Sequence, residues 1–135
     1  MDSPRKPKPL SEAWHQSSVL KWSQQPDIRR KWPELALLLH IPNEGARTGQ
    51  SGAVLKHAGL KRGVPDLVLP VARGPYHGLF IEMKRPGART DSKHAAEQQW
   101  WLEKLSCENY CARECYGWEA AVELLAWYLG MEATP

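Results

Sequence analysis

The sequence predicts a single α/β domain in which a mixed central β-sheet is flanked by helices. Long stretches with helical spacing of apolar residues occur beside apolar runs that are short enough for buried strands. In chain order these segments follow as helix, strand, strand, strand, helix, strand, helix, which implies a mixed sheet with helices packed on it. A chain of 135 residues, 42% of them hydrophobic, is long enough to bury one such core.

The first ten residues differ from the rest of the chain in composition. They hold three prolines and four charged residues, which predicts a disordered basic arm over residues 1–10. The folded domain is expected to span residues 11–130, with a C-terminal tail over residues 131–135. No apolar run approaches the length of a membrane span, and no apolar stretch follows the basic N-terminus as it would in a secretory signal.

The N-terminal third is predicted to form a helix, a turn and a strand. The helix begins after Ser11, which can cap it, and continues to Trp22 before Pro26 stops it. A short helical turn over Trp32–Ala36 then leads into the apolar run Leu37–Ile41, which predicts a buried strand.

A pair of strands is predicted in the middle of the chain. Residues 43–52 are polar and contain glycine, as is typical of a mobile loop near a ligand. The apolar segments Asp66–Val71 and Leu79–Lys84 predict two strands, and the glycine and proline residues of Arg73–Gly78 predict the turn between them.

The C-terminal third is predicted to form helix, strand and helix. Helical spacing extends from about Ser92 to Ser106, the run Tyr110–Cys115 predicts a strand, and Trp118–Leu129 predicts a closing helix. Trp100 cannot share the apolar face of its helix with Trp101, so it is a candidate for an exposed contact or an oligomer interface.

The three cysteines, Cys107, Cys111 and Cys115, indicate no disulfide framework. Their number is odd, and neither a C-x-x-C pair nor a fitting histidine spacing supports a zinc site. Cys111 and Cys115 are interpreted as small apolar fillers of a strand. This pattern of cysteines predicts a soluble protein of a reducing compartment, the cytoplasm.

Positive charge is concentrated in the middle of the chain. Residues 47–93 carry nine basic and three acidic residues, a balance of +6, whereas residues 94–135 carry two basic and seven acidic residues. Such a segment suggests a site for a polyanion, although scattered solvated charges would give the same count. The candidate DNA-binding residues are Arg47, Lys56, Lys61, Arg62, Arg85, Arg89 and Lys93.

Two acidic residues lie in the apolar strands of the predicted pair. Burying the carboxylates of Asp66 and Glu82 there costs free energy unless they are paired or bind a metal. Strand alternation places Glu82 and Lys84 on one face, and a hairpin would bring Asp66 to them. Two carboxylates beside one ammonium suit a hard divalent cation and a phosphodiester. The alternative is an ion pair of Lys84 with Asp66 or Glu82 at a strand end.

The pattern as a whole resembles the VRR-NUC branch of the PD-(D/E)XK nuclease superfamily, over roughly residues 11–130. The order of its parts is specific, although no single part is. These parts are Gly63-Val64-Pro65-Asp66, Glu82-x-Lys84 and Gln98-x-x-Trp101-Leu102-x-x-Leu105, extended by His40-Ile41-Pro42-Asn43, Leu60-Lys61-Arg62-Gly63 and the segment from Glu119 to Leu129.

The resemblance implies a restriction-endonuclease-like core that holds Mg²⁺ or Mn²⁺. Asp66 and Glu82 would be the principal ligands, with the backbone carbonyl of Met83 as an additional one. Glu12 matches the acidic residue that the family places on its first helix. From the sequence alone, Glu12 could equally be a first-turn glutamate favoured by the helix dipole.

The resemblance also implies two further site residues. Lys84 would be the catalytic lysine, and Gln98 would project from the following helix toward the site. Gln99 competes with Gln98 for this role, and only the register set by Trp101, Leu102 and Leu105 selects Gln98.

The function implied by the resemblance is a metal-dependent, structure-specific DNA endonuclease. Small stand-alone members resemble Holliday-junction resolvases of phage or bacterial type, which act on branched DNA as homodimers in the cell's cytoplasm. A flap or single-strand nuclease and a catalytically idle DNA-binding module remain alternatives. A homodimer formed mainly by the N-terminal third is expected, because four tryptophans offer more apolar surface than one small core needs, namely Trp14, Trp22, Trp32 and Trp100.

Overall fold

The computed structural model describes residues 2–42, 53–54, 56–89 and 92–135, and the side chains of Ser92 and Lys93 are outside that description. The expected loop over residues 43–52 also lies outside the described residues. Within these ranges the helices are α1 (Glu12–Ser23), α2 (Pro26–Lys31), a 3₁₀ helix (Pro33–Leu37), α3 (Ser92–Cys107) and α4 (Trp118–Leu129). The strands are β1 (Leu39–His40), β2 (Leu67–Leu69), β3 (Leu79–Lys84) and β4 (Cys111–Tyr116).

The four strands form one mixed sheet in the order β1-β2-β3-β4. β1 pairs antiparallel with β2, β2 pairs antiparallel with β3, and β3 pairs parallel with β4. The parallel pair is joined through α3, the crossover helix that such a connection requires. The predicted fold class, a mixed sheet flanked by helices, is confirmed.

The sheet separates a core from the predicted site. On one face, Leu79, Ile81 and Met83 of β3 pack with buried residues of α1 and α4, among them Val19 and Leu125. The opposite face carries the alternate residues of β3 and is covered by α3, which packs on β4. β3 therefore contributes residues both to the core and to the site.

Helix α1 begins as the sequence predicts. The Ser11 side chain accepts a hydrogen bond of 3.1 Å from the backbone N–H of Trp14, and this cap places Glu12 in the first turn. The helix ends at Ser23, and Pro26 is the first residue of a second helix that the sequence analysis did not predict. Proline has no N–H to lose there, because the first turn of a helix leaves its N–H groups unpaired.

The prediction of a buried strand over Leu37–Ile41 is wrong. Leu37 ends the 3₁₀ helix, β1 contains only Leu39 and His40, and Leu39 is 54% exposed. β1 is an edge strand that pairs on one side only, with β2. Apolar run length alone does not distinguish such an edge from a central strand.

The remaining elements lie close to their predicted bounds. β3 and α4 match them, α3 extends one residue further, and β4 is shifted by one residue. β2 is shorter than the segment Asp66–Val71, since Pro70 has no N–H to donate to a neighbouring strand. Cys111 and Cys115 are buried without a disulfide, as small core residues.

The C-terminal segment packs back onto the turn that follows β2. Ala133 forms a bridge with Arg73, and the Gly74 N–H donates to the carbonyl of Glu132 over 2.9 Å. Residues 2–10 at the other end are exposed and form no helix or strand. Within the described residues, none of the helices combines the length and the apolar character that crossing a membrane requires.

Candidate functional site

Three carboxylates converge at one end of the sheet. In the β2–β3 register Leu67 faces Ile81, which places Asp66 directly opposite Glu82 on the same face. Helix α1 adds Glu12 from its first turn. One oxygen of each of these three carboxylates lies within 4.8 Å of the others.

Asp66 is held in place by the backbone on both sides. Its Oδ2 accepts a hydrogen bond of 2.8 Å from the Met83 N–H, and its carbonyl accepts one of 2.7 Å from the Ile41 N–H. His40 Nδ1 lies 3.1 Å from the same carbonyl and 2.8 Å from Gln16 Nε2. These contacts connect α1, β1 and β3 around the start of β2.

Gln98 links Glu82 and Lys84, the acidic residue of β3 and its nearest basic residue. The Lys84 ammonium donates to Gln98 Oε1 over 2.6 Å, and Gln98 Nε2 donates to Glu82 Oε1 over 2.9 Å. Lys84 Nζ itself lies 3.8 Å from Glu82 Oε1. The competing Gln99 bonds instead with Glu103 on the exposed side of α3, so Gln98 is the glutamine that lies beside Glu82 and Lys84.

Glu82 is only 2% exposed, and half of its carboxylate has no partner. Its Oε2 is buried and accepts no hydrogen bond from the described residues. A buried carboxylate oxygen without a donor is costly, the more so beside two further carboxylates. This unpartnered oxygen is the observation that best indicates a cation-binding site.

The electrostatics of the cluster agree with its geometry. Burial, followed by the charge of Asp66, raises the pKa of Glu82 to about 9. Burial, followed by Asp66, also raises the pKa of Glu12, while Lys84 and Arg85 oppose the shift. Burial raises the pKa of Asp66 as well, against the lowering effect of the Met83 N–H. Burial is the first cause of all three shifts, and the charge of Asp66 adds to those of Glu82 and Glu12.

The metal-free protein is therefore expected to become less stable as the pH rises. Because the Glu82 pKa rises from 4.5 to about 9 on folding, its contribution to stability is fully present below pH 4.5 and is lost progressively up to pH 9. The release of this one proton changes the free energy of unfolding by at most about 1.4 kcal/mol per pH unit. Thermal unfolding in EDTA between pH 6 and pH 9 measures this slope.

A matched variant separates Glu82 from other titrating groups. Glu82→Gln removes the buried charge, so it should raise the melting temperature of the metal-free protein at pH 8 and flatten its pH dependence. Glu123→Gln, at an exposed position of α4, is the control. Equal pH slopes in the parent and Glu82→Gln would contradict the electrostatic picture.

The donor set fits Mg²⁺ or Mn²⁺. Carboxylate oxygens are the ligands that these hard cations prefer, and three of them converge here without a basic residue that neutralises all three. The metal-ligand roles proposed for Asp66, Glu82 and Glu12 are compatible with this placement. Met83 contributes its N–H to Asp66, and the role suggested for its carbonyl stays a prediction.

The carboxylates open into a cleft of about 610 Å³. Its lining includes Gln16 of α1, Arg62 and Gly63 of the turn before β2, and His94 of α3. Gly63 has a φ of +83° and lies so close to α3 that a Cβ would come within 2.9 Å of the Glu97 carbonyl carbon. A glycine is required there to bring Arg62 to the rim of the cleft.

Some of the predicted DNA-binding residues lie at or near the cleft. Arg62 lines the cleft, and Arg85 is close enough to Glu12 to lower its pKa. Arg47 and the side chain of Lys93 lie outside the described residues. The other three, Lys56, Lys61 and Arg89, are exposed.

Sequence reasoning missed the place of two histidines. His94 precedes Gln98 by one helical turn and therefore shares its side of α3. That spacing was a usable signal. The contact of His40 with Asp66 could not be predicted in the same way, because it depends on how β1 pairs with β2.

Comparisons with known proteins agree with this site. The family model described as "VRR-NUC domain" matches residues 12–119, a range that contains all five predicted catalytic residues. A solved structure described as "VRR_NUC domain protein" is similar to this chain with a TM-score of 0.74 and 31% sequence identity, covering 94% of each chain. No curated protein matches the chain significantly.

Proposed function

Because this chain belongs to the VRR-NUC domain family, whose domains are of the nuclease type, we propose that it is a metal-dependent endonuclease that hydrolyses phosphodiester bonds in DNA. The family that the sequence resembled is thus the family found. The observation that carries the proposal is the convergence of Glu12, Asp66 and Glu82 beside a lysine that Gln98 holds in place. A nuclease-type domain also implies DNA as the partner.

The residues proposed to hold Mg²⁺ or Mn²⁺ are Asp66, Glu82 and, from α1, Glu12, together with the Met83 carbonyl. A divalent cation bound there would polarise a phosphoryl oxygen and lower the pKa of water. The unpartnered Oε2 of Glu82 supplies an acceptor to which none of the described residues donates.

Lys84 is proposed to act on the water and the phosphate. Its ammonium has three hydrogens, of which one is donated to Gln98 Oε1 and a second can be directed at Glu82. The third can reach a phosphoryl oxygen or the attacking water and offset the charge that develops there. The Gln98 amide bridges the two groups, since it accepts from the Lys84 ammonium and donates to Glu82.

The proposed substrate is branched DNA, in the manner of a Holliday-junction resolvase. A cleavage assay on four-way, flap, single-stranded and linear duplex substrates, each with Mg²⁺ and with Mn²⁺, tests this function. Fastest cleavage of the four-way junction is the expected result, and fastest cleavage of the flap or single strand would support that alternative. DNA binding without cleavage of any substrate would indicate the idle module.

A homodimer is proposed because one site cuts one strand, whereas a four-way junction has symmetry-related strands. Trp22 and Trp32 do not supply the expected free surface, because they pack on each other at 5.9 Å and against the core. The exposed apolar residues of the N-terminal third are Leu10, Trp14, Leu37 and Leu39.

Light scattering at micromolar concentration is expected to give twice the mass of one chain. Trp14→Ser, at a side chain that is 42% exposed, should lower that mass if the N-terminal third forms the interface. A mass of 15.3 kDa that does not change with concentration would contradict the paired-site mechanism. The cytoplasmic location stays a prediction from the sequence.

A further inference from the structure

A second groove adjoins the cleft on the outer side of α3. It encloses about 480 Å³ and is lined by Arg62, Ala96, Glu97, Trp100 and Trp101. Arg62 also lines the cleft that contains the carboxylates, so the two depressions share one wall. A chain of nucleotides that passes the cleft can therefore continue into the groove.

The groove presents one large aromatic ring to solvent. Trp100 is 52% exposed, and its ring stands edge-to-face on Trp101 with centroids 5.4 Å apart and an interplanar angle of 88°. Trp101 is fixed in turn, because its Nε1 donates to the Arg62 carbonyl over 2.9 Å. Trp100 is thus an exposed ring on a rigid support.

The charges around this ring suit a flat neutral group next to a phosphate. Lys104, one turn further along α3, places its ammonium 5.9 Å from the Trp100 centroid. Glu97 also lines the groove, and its negative charge disfavours a phosphate there. Exposed aromatic rings stack the bases of single strands beside basic residues that contact the backbone. Lys104 lies over the ring, so its side chain would have to turn aside for a base to stack on that face.

We propose that this groove binds one unpaired nucleobase, stacked on Trp100, of the DNA strand whose backbone lies in the cleft. The inference rests on the proposed function, because it assumes that DNA occupies the cleft. The proposal deepens that function by naming a feature of the substrate. A paired base would have to leave its partner before it could stack on Trp100, which costs free energy, whereas an unpaired base is already available. The enzyme would therefore cleave a four-way junction with unpaired bases beside the cleavage site faster than a fully paired one.

Binding measured without cleavage tests the groove separately from the activity. Asp66→Asn protein is mixed with a flap oligonucleotide that carries 2-aminopurine at successive unpaired positions, and anisotropy and base fluorescence are recorded. We expect quenching at one or two positions, which the additional change Trp100→Ala abolishes. Affinity should fall about five- to a hundred-fold, the range for loss of one stacked base.

Two variants serve as controls. Trp100→Phe should keep most of the quenching, because a smaller ring still stacks. Trp127→Ala removes a tryptophan of α4 that is 50% exposed, and it should change neither signal. Undiminished quenching and affinity in the Trp100→Ala variant would overturn the proposal. So would a fall in molecular mass in that variant with DNA contacts unchanged, because the groove would then hold a second copy of the chain.

Failure of the groove proposal can be distinguished from failure of the proposed nuclease function. If the parent protein cleaves no DNA with Mg²⁺ or Mn²⁺ but Trp100-dependent quenching is found, the nuclease proposal fails and the groove remains. If cleavage is found but the quenching is absent, the groove proposal fails alone. If the parent protein neither binds the oligonucleotide nor cleaves any of the four substrates, both proposals are overturned.

Discussion

Replacing Asp66 or Glu82 with alanine is expected to abolish DNA cleavage. Each carboxylate belongs to the cluster proposed to hold the divalent cation, and each is positioned by more than one element of the fold. Removing either leaves too little negative charge to hold the ion, whose loss would raise the barrier by several kcal/mol. At 1.36 kcal/mol per factor of ten, this is a loss of at least about a thousand-fold in rate.

Single-turnover cleavage with Mg²⁺ and with Mn²⁺ measures this loss, and a binding assay on the same variants shows whether DNA is still held. Binding should survive or tighten, because an anionic group is removed from a site that faces phosphate. Glu123→Ala, at an exposed residue of α4, should cleave at the parent rate. Either site variant cleaving as fast as the parent would disprove the site assignment.

The part of the site that follows from strand geometry could be predicted from the sequence. Alternation along β3 placed Glu82 and Lys84 together, and the helical register of α3 selected Gln98 over Gln99. Glu12 was less certain, because a first-turn glutamate has a local reason to be there. Only the packing of α1 against β3 brings it to the carboxylates.

The features that the sequence did not reveal depend on tertiary contacts. The exposed edge strand β1 was mistaken for a buried one, since an apolar run does not show how many neighbours a strand has. Likewise, the apolar character of Trp22 and Trp32 was visible, but their mutual packing was not. Arg62 was recognised as basic, whereas its position between the cleft and the groove requires the close approach of Gly63 to α3.

Lys84→Ala is expected to lower the rate of cleavage by about a hundred- to a thousand-fold, the usual effect of removing one donor that stabilises transition-state charge. The affinity for Mg²⁺ should change much less, because the ammonium donates to Gln98 and is not itself a ligand of the ion. The measurement is single-turnover cleavage over a Mg²⁺ titration. The rate should stay low at saturating Mg²⁺, and Lys84→Arg should recover it only in part, since guanidinium geometry differs.

The Gln98 contacts make this comparison decisive between two roles for the lysine. If Lys84 only organises the ligands, its loss frees Gln98 Oε1 and loosens the hold of the amide on Glu82. Excess Mg²⁺ would then restore the whole rate, and Gln98→Ala would show the same rescue. If Lys84 acts on water and phosphate, Gln98→Ala should be rescued by metal to a greater extent than Lys84→Ala. We expect the second result, because Gln98 already donates to Glu82 and takes only one of the three hydrogens of the ammonium.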